Sequence, residues 1–94
     1  MIARVTFAEV DVVRTSLDRA VRAFEDAVLP ELRRHEGFEA CTVLTAPDGK
    51  AIVVTFWRDA EAADAVDWHA QTDKFVTVLR TPVGRETYDV ALSA

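Results

Sequence analysis

His69 is the side chain whose type and position most favour chemistry. Ala62, Ala65, Val66 and His69 follow the spacing i, i+3, i+4, i+7 of one helix face. That face is apolar, so we expect the imidazole to point toward the core. There it would act as a general base on a phenol or an enol, with a pKa tuned near neutrality. A partly buried histidine satisfied by one hydrogen bond is the competing interpretation.

Aromatic side chains form the second group of candidates. Trp57 and Trp68 flank the same helix and would form walls for a planar ligand. Packing explains them as well, and strand alternation points Trp57 toward a face where a second copy would bind. Tyr88 would donate a hydrogen bond to a substrate oxygen, or fill the core with its hydroxyl at the rim. Phe24 and Phe75 would line the pocket or the core.

The sequence argues against several other kinds of site. Cys41 is the single cysteine, so no intrachain disulfide forms, and a small buried thiol is the simplest interpretation. Neither His35 nor His69 stands in a metal-ligand motif. The three glycines are too far apart along the chain to form a phosphate-binding loop. We therefore expect no metal and no nucleotide or flavin cofactor.

Composition and charge limit the class of protein. The 94 residues suffice for one domain, residues 1–94, and 50% of them are hydrophobic. The net charge is −5 and the basic residues are interleaved with acids, which argues against nucleic-acid and membrane partners. The segment Met1–Val5 lacks the charged leader of a signal peptide. With one cysteine and no long apolar run, we expect a cytoplasmic protein.

The elements that must position these residues follow the order β-α-β-β-α-β. Strands are predicted at residues 2–10, 39–45, 50–57 and 86–92. Helices are predicted at 16–35, interrupted at Pro30, and at 60–71, with a short continuation holding Phe75, Val76 and Leu79. With right-handed crossovers this order gives a four-stranded antiparallel sheet with both helices on one face. That is the ferredoxin-like α+β fold.

The two faces of the predicted sheet differ in composition. We expect the helix-covered face to hold Val5, Phe7, Val43, Ile52, Val54, Phe56, Tyr88, Val90 and Leu92. The open face would then show Ile2, Thr6, Ala8, Thr42, Leu44, Ala51, Val53, Thr55 and Ala91. Its main charges, Arg4 and Asp89, would form a cross-strand pair. The rest is too apolar for water, so we expect two sheets to pack face to face in a homodimer.

Three segments, in this order, resemble the antibiotic biosynthesis monooxygenase family of dimeric α/β-barrel proteins. Residues 29–38 end in Gly-Phe before strand two, and residues 52–62 form a strand that ends in tryptophan before an acidic, alanine-rich helix start. Residues 68–75 carry the His, Thr and Phe of a family pattern. The resemblance covers nearly the whole chain. It implies functions that include cofactor-free oxygenation of quinols and polycyclic aromatics, haem degradation and isomerisation of small carbonyl compounds.

The chain departs from the family at functional positions. Haem-degrading members have an Asn on strand one, a Trp in helix two and a later haem-ligating His. This sequence offers Thr6 or Phe7, Val66 and Phe75 there, which argues against haem degradation. Quinone-forming members resemble it at Trp57, but Val53 and Ala63 replace their Asn and Tyr. His69 also stands twelve residues after Trp57, about one helical turn later than in the family.

We therefore expect a cofactor-independent monooxygenase that acts on a small aromatic or quinol-like metabolite. His69 would form the substrate anion, which then reacts with dioxygen in an apolar pocket. Two alternatives remain open. One is a non-catalytic dimer that binds a small apolar or aromatic ligand, and the missing Asn and Tyr favour it. The other is an isomerase with His69 as its proton shuttle.

Overall fold

The structure is a computed structural model that describes residues 1–75, 78–80 and 84–94. The elements are β1 (Ile2–Glu9), α1 (Leu17–Ala27), α2 (Leu29–Arg34), β2 (Phe38–Thr45), β3 (Lys50–Trp57), α3 (Ala60–Asp64), α4 (Trp68–Asp73) and β4 (Gly84–Asp89). This is the predicted order, with each predicted helix divided in two. Val76, which belongs to the predicted short continuation, lies outside the described residues.

The four strands form one antiparallel sheet in the order β2-β3-β1-β4. The central strand β1 pairs with β3 along its whole length, and with β4 from Ile2 to Phe7. On the other side of β3, β2 carries an irregularity between Phe38 and Ala40. The predicted ferredoxin-like α+β fold is confirmed.

Local signals explain where the helices begin and end. Ser16 caps α1, because its Oγ accepts a hydrogen bond from the Arg19 backbone N–H at 3.1 Å. The first predicted helix divides at Val28, where α1 ends and α2 begins. Pro30 lies in the first turn of α2, where a backbone donor has no intrahelical partner to lose.

The core is centred on Trp57, which is fully buried. Its ring contacts Phe38 and Trp68 edge to face, with centroid distances of 5.4 and 6.1 Å. Its Nε1–H donates to Thr55 Oγ1 at 2.9 Å, so the indole is satisfied inside the protein. The remaining buried members of this cluster are Val28, Leu32, Ala62, Ala63 and Val66. The prediction that Trp57 points to a dimer face is wrong, because Trp57 lies on the helix-covered face.

The two sheet faces are the reverse of the prediction in β1, β3 and β4. The register pairs Thr6 with Val53 and Val53 with Val43, and all three line a cavity beneath the helices. The outward face instead carries larger apolar side chains, namely Val5, Phe7, Leu44, Ile52, Val54, Phe56 and Tyr88. Only for β2 is the prediction confirmed. Both faces are apolar, so alternation alone does not tell which of them the helices cover.

Arg4 also lies on the helix-covered face. Its Nη2 lies 2.5 Å from Asp64 Oδ1 on α3. The register places Thr87 opposite Arg4, and Asp89 opposite Ile2. The predicted Arg4–Asp89 pair is therefore wrong.

Candidate functional site

An apolar cavity lies between the sheet and helices α1 and α4. Its floor consists of the small side chains of β1 and β3, including Thr6, Ala8, Ala51 and Val53. Its walls and roof are Val10, Leu17, Ala20, Val21, Phe24, Val28, Val43, Thr45, Trp68, Gln71, Thr72, Phe75, Leu79 and Arg85. The cavity exists because the sheet presents alanine, threonine and valine to the helices, while its larger side chains point the other way.

The cavity suits a flat ring. Its volume is about 100 Å³, less than the roughly 150 Å³ of an engineered cavity that holds benzene, so a bound ring would fill it and extend into its open mouth. The empty space is about 740 Å³ when it is counted out to the open mouth, so a larger ligand would extend toward solvent. The rings of Phe24 and Phe75 lie 6.5 Å apart in the wall and would contact such a ligand.

Arg85 is the one cationic side chain in the described part of the cavity wall. Its Nη2 donates to the Trp68 carbonyl oxygen at 3.0 Å and to Thr72 Oγ1, one helical turn apart on α4. The guanidinium carbon lies 5.7 Å from the Trp68 ring centroid. Among residues 1–75, 78–80 and 84–94, no carboxylate forms an ion pair with it.

A second guanidinium, that of Arg4, lies 5.8 Å from the same Trp68 ring. Its side chain is 13% exposed, and Asp64 compensates its charge. Burial lowers the pKa of Arg85, and the nearby charge of Arg4 lowers that pKa further. Two cations and one carboxylate leave an uncompensated positive charge beside an apolar space.

Gln71 supplies the other polar feature of the wall. The residue is 9% exposed, and its Nε2 donates to Glu31 Oε2 at 2.8 Å. The hydrogen bond from Gln71, and then that from Lys74, lowers the pKa of the Glu31 carboxyl. In the described part of the chain, Gln71 Oε1 and Arg85 Nε are buried without any hydrogen-bond partner. The cavity wall therefore holds one unused acceptor and one unused donor.

His69 lies outside the cavity, so its predicted inward orientation is wrong. The side chain is 91% exposed, and its Nε2 lies 3.8 Å from Asp73 Oδ2. The physical reason is a break in the predicted helix over 60–71. Asp67 caps a new helix, because its Oδ1 accepts the Ala70 backbone N–H at 3.0 Å. The residues at cavity positions on α4 and just beyond it are Trp68, Gln71, Thr72 and Phe75.

The structure separates the aromatic candidates into two groups. Phe24, Trp68 and Phe75 line the cavity, and their role in binding stays a prediction. Trp57 lies beneath the helices, away from the cavity wall. Tyr88 lies on the outward face of β4, 48% exposed, with its hydroxyl on Glu86. The prediction that Tyr88 fills the core is therefore wrong, and its hydrogen bond to a substrate oxygen stays a prediction.

Two cavity residues, Arg85 and Gln71, are not predicted from the sequence patterns. Arg85 lies one residue before the predicted start of the last strand, so the strand pattern assigns it to neither face of the sheet. Gln71 is hidden by the assumption that one helix runs through Asp67. An aspartate followed by the spacing of Trp68, Gln71, Thr72 and Phe75 is the signal that would reveal both the new helix and its inward face.

The sequence profile described as antibiotic biosynthesis monooxygenase matches residues 3–80. The chain belongs to the antibiotic biosynthesis monooxygenase family. No curated protein matches it. Among solved structures, it is similar to the NE2512 protein of unknown function from Nitrosomonas europaea, with a TM-score of 0.76 and 18% identity over 99% of this chain and 91% of that one.

Two further relatives have stated activities. The ActVA-Orf6 monooxygenase of Streptomyces coelicolor, solved with nanaomycin D, has a TM-score of 0.75 and 16% identity over 99% of this chain and 89% of its own. The haem degrader MhuD of Mycobacterium tuberculosis, solved with two haems in its active site, has a TM-score of 0.73 and 17% identity over 100% and 99%. At these identities the likeness shows the shared fold alone.

The donor set of the site does not suit haem or a metal ion. The described cavity wall contains no His, Cys, Tyr or Met that would ligate haem iron. Among residues 1–75, 78–80 and 84–94, no group of three or more His, Cys, Asp or Glu side chains is arranged to hold a metal. No helix in the described part of the chain has the length and hydropathy to span a bilayer.

Proposed function

We propose that the protein is a cofactor-independent monooxygenase that oxidises a small phenol or quinol held in this cavity. The observation that supports the proposal most is the placement of Arg85. It brings an uncompensated guanidinium to an apolar space with room for about one aromatic ring. Family membership supplies the class of reaction, and the cavity chemistry supports an aromatic anion as its reactant.

Arg85 would favour the ionised form of a phenol. A phenolic hydroxyl has an ordinary pKa of about 10, and an opposite charge at close range lowers such a pKa by about 1–3. The fraction of anion at neutral pH then rises roughly 10- to 1000-fold. The phenolate is the electron-rich species that reacts with dioxygen, and the apolar walls keep water away from the reacting carbon.

The proposed reaction balances without an added reductant. A carbon–oxygen bond forms between dioxygen and the ring carbon para to the anionic oxygen. The oxygen–oxygen bond then breaks, so that one oxygen atom becomes the quinone carbonyl and the other leaves as water with the two hydrogens that the phenol loses. The ring supplies all four electrons that dioxygen accepts. The protein binds and orients the anion.

Ligand binding without catalysis is the second candidate function. None of the described cavity residues is a carboxylate, imidazole or amine that would accept a proton, and a guanidinium stays protonated. This observation favours either a substrate that ionises readily beside Arg85 or a ligand that is not transformed. The exposed position of His69 gives no support to an isomerase that uses it as a proton shuttle.

Oxygen uptake tests the proposal. Phenols and polyphenols whose para carbon carries a hydrogen are screened with the wild type, with Arg85→Met and with His69→Ala as the matched control. We expect uptake and quinone formation by the wild type and by His69→Ala, and a strong loss in Arg85→Met. Binding of the same phenols without any uptake would favour the non-catalytic function. Loss of activity in His69→Ala would restore that residue and contradict the assignment to Arg85.

We also propose that a second copy of the chain covers the open sheet face, although most residues on that face differ from those that the sequence predicts there. Phe7, Leu44 and Tyr88 on this face are 40%, 53% and 48% exposed, and Val5, Ile52, Val54 and Phe56 lie between them. The surface is apolar across β2, β3 and β1, and Glu86 beside Tyr88 forms its charged border on β4. An identical copy suits it, because a two-fold axis pairs the same patch with itself.

Light scattering coupled to size exclusion measures the oligomeric state. The wild type should elute as a dimer. Phe7→Lys places a charge in the middle of the surface and should give a folded monomer. A wild type that is monomeric at micromolar concentration would overturn the proposed dimer.

A further inference from the structure

We propose that the ligand carries a hydroxyl group in addition to its anionic oxygen, and that Gln71 recognises this hydroxyl. The inference rests on the proposed use of the cavity. It narrows the substrate class to aromatic rings with two oxygen substituents, one ionised on Arg85 and one protonated against Gln71.

The Gln71 amide uses only one of its two ends inside the described part of the protein. The residue is only 9% exposed, yet its Oε1 accepts no hydrogen bond from the described part of the chain. A buried carbonyl oxygen without a partner is rare in folded proteins, and each one calls for an explanation. Gln71 lies in the cavity wall, so a ligand that brings a donor would supply the missing hydrogen bond.

Glu31 fixes the orientation of the Gln71 amide. An ionised carboxylate accepts hydrogen bonds and cannot donate them, so the Gln71 Nε2 must face Glu31 and Oε1 must face away. Lys74 holds the carboxylate from its other oxygen, with Nζ to Oε1 at 3.2 Å. Gln71 therefore offers an acceptor, which selects a hydroxyl or amine on the ligand.

Gln71 and Arg85 both line the cavity, and both are held at helix α4. Arg85 is fixed to α4 through the Trp68 carbonyl and the Thr72 hydroxyl, and Gln71 is the residue before Thr72. One helix wall thus carries both groups. A ligand with an anionic oxygen alone leaves Gln71 Oε1 unpartnered, whereas an added hydroxyl satisfies it. Since Oε1 is covered by protein atoms, ligand binding must uncover this atom while Nε2 keeps its hydrogen bond to Glu31.

Binding of defined probes to the intact protein tests the inference independently of turnover. Titration calorimetry compares 2- and 3-hydroxybenzoate with benzoate and with the matching methoxybenzoates, which have the oxygen but no donor. We expect one of the two hydroxybenzoates to bind roughly 3- to 10-fold more tightly than benzoate and its methoxy partner. Equal affinities across these probes would overturn the role of Gln71.

Two variants identify the residue responsible. Gln71→Met removes the acceptor at similar length, and the affinity ratio of hydroxy to methoxy probe should fall to about one. Glu31→Gln lets either end of the Gln71 amide turn inward, so the affinity ratio of hydroxy to methoxy probe should shrink. Circular dichroism should show that this variant keeps the native fold. An unchanged ratio in folded Gln71→Met would overturn the inference while leaving the role of Arg85 intact. Failure of every benzoate to bind the wild type would overturn both.

Discussion

Replacing Arg85 by methionine should weaken ligand binding while leaving the fold at least as stable. Methionine keeps the apolar stem that packs near Trp68 and removes the charge. A hydrogen bond to a charged group contributes about 1.5–3 kcal/mol. Since each 1.4 kcal/mol is a tenfold change in affinity, the loss for benzoate should be about 10- to 150-fold.

The same substitution should not destabilise the protein. Burial and the charge of Arg4 both lower the pKa of Arg85, which means that the folded state disfavours its charged form. The acceptors do not lose their only partner, because the Trp68 carbonyl still accepts from Thr72 Oγ1 at 2.9 Å. Arg85 is a half-buried cation that has no carboxylate partner in the described part of the chain, so its removal also removes the unfavourable free energy of desolvating its charge. The melting temperature should therefore stay the same or rise.

Calorimetric titration with benzoate and thermal unfolding measure both effects. Arg80→Met is the matched control, since Arg80 is an exposed arginine that pairs with Glu9 and Asp11. It should bind benzoate like the wild type. For a domain of this size, 1 kcal/mol shifts the melting temperature by about 4–8 °C, so a stabilisation would be measurable. Wild-type affinity in Arg85→Met, or a melting temperature below that of the Arg80 variant, would refute the reasoning.

Three predictions concern the supporting structure. Thr55→Val should lower the free energy of unfolding by about 1–3 kcal/mol in denaturant titrations, because it leaves the Trp57 indole N–H buried without an acceptor. In a Trp57→Phe background the effect should largely vanish. An equal effect there would contradict the role of the Trp57–Thr55 hydrogen bond. Gly37→Ala should destabilise by more than about 1–2 kcal/mol, because Gly37 has φ +88° and its new Cβ would lie 2.6 Å from Ala62 Cβ, whereas Gly84→Ala meets nothing within 4 Å and should be nearly neutral. Glu31 has a lowered pKa in the folded state, so its stabilising contribution is present above its ordinary pKa of 4.5 and is lost as the pH falls through the lowered pKa. The difference in unfolding free energy between the wild type and Glu31→Gln should therefore close on acidification. A constant difference would contradict the Glu31 contacts.

The sequence predicts the architecture well because its signals are local. Pro30 marks the division of the first helix, and the segment 46–49 between two apolar strands marks the hairpin. The order of elements then leaves few topologies. These features depend on backbone preferences that neighbouring residues set, so a single sequence carries them.

The sequence predicts the site less well because the site depends on which apolar face is covered. Val54 and Val53 are equally apolar neighbours on β3, and only the packing of the helices decides that Val53 faces inward. The break at Asp67 rotates the helix that follows, which moves His69 out of the cavity and Gln71 into its wall. Arg85 becomes visible only when β4 is known to begin at Gly84.

The account depends most on the claim that an aromatic anion binds beside Arg85 and Trp68. The two tryptophans give two indole N–H resonances, assigned with Trp57→Phe and Trp68→Phe variants. Titration with benzoate in an NMR experiment should shift the Trp68 resonance, since Trp68 lines the cavity, and leave that of Trp57 near its original position in the core. A Trp68 resonance that stays unmoved at saturating benzoate would contradict the central claim.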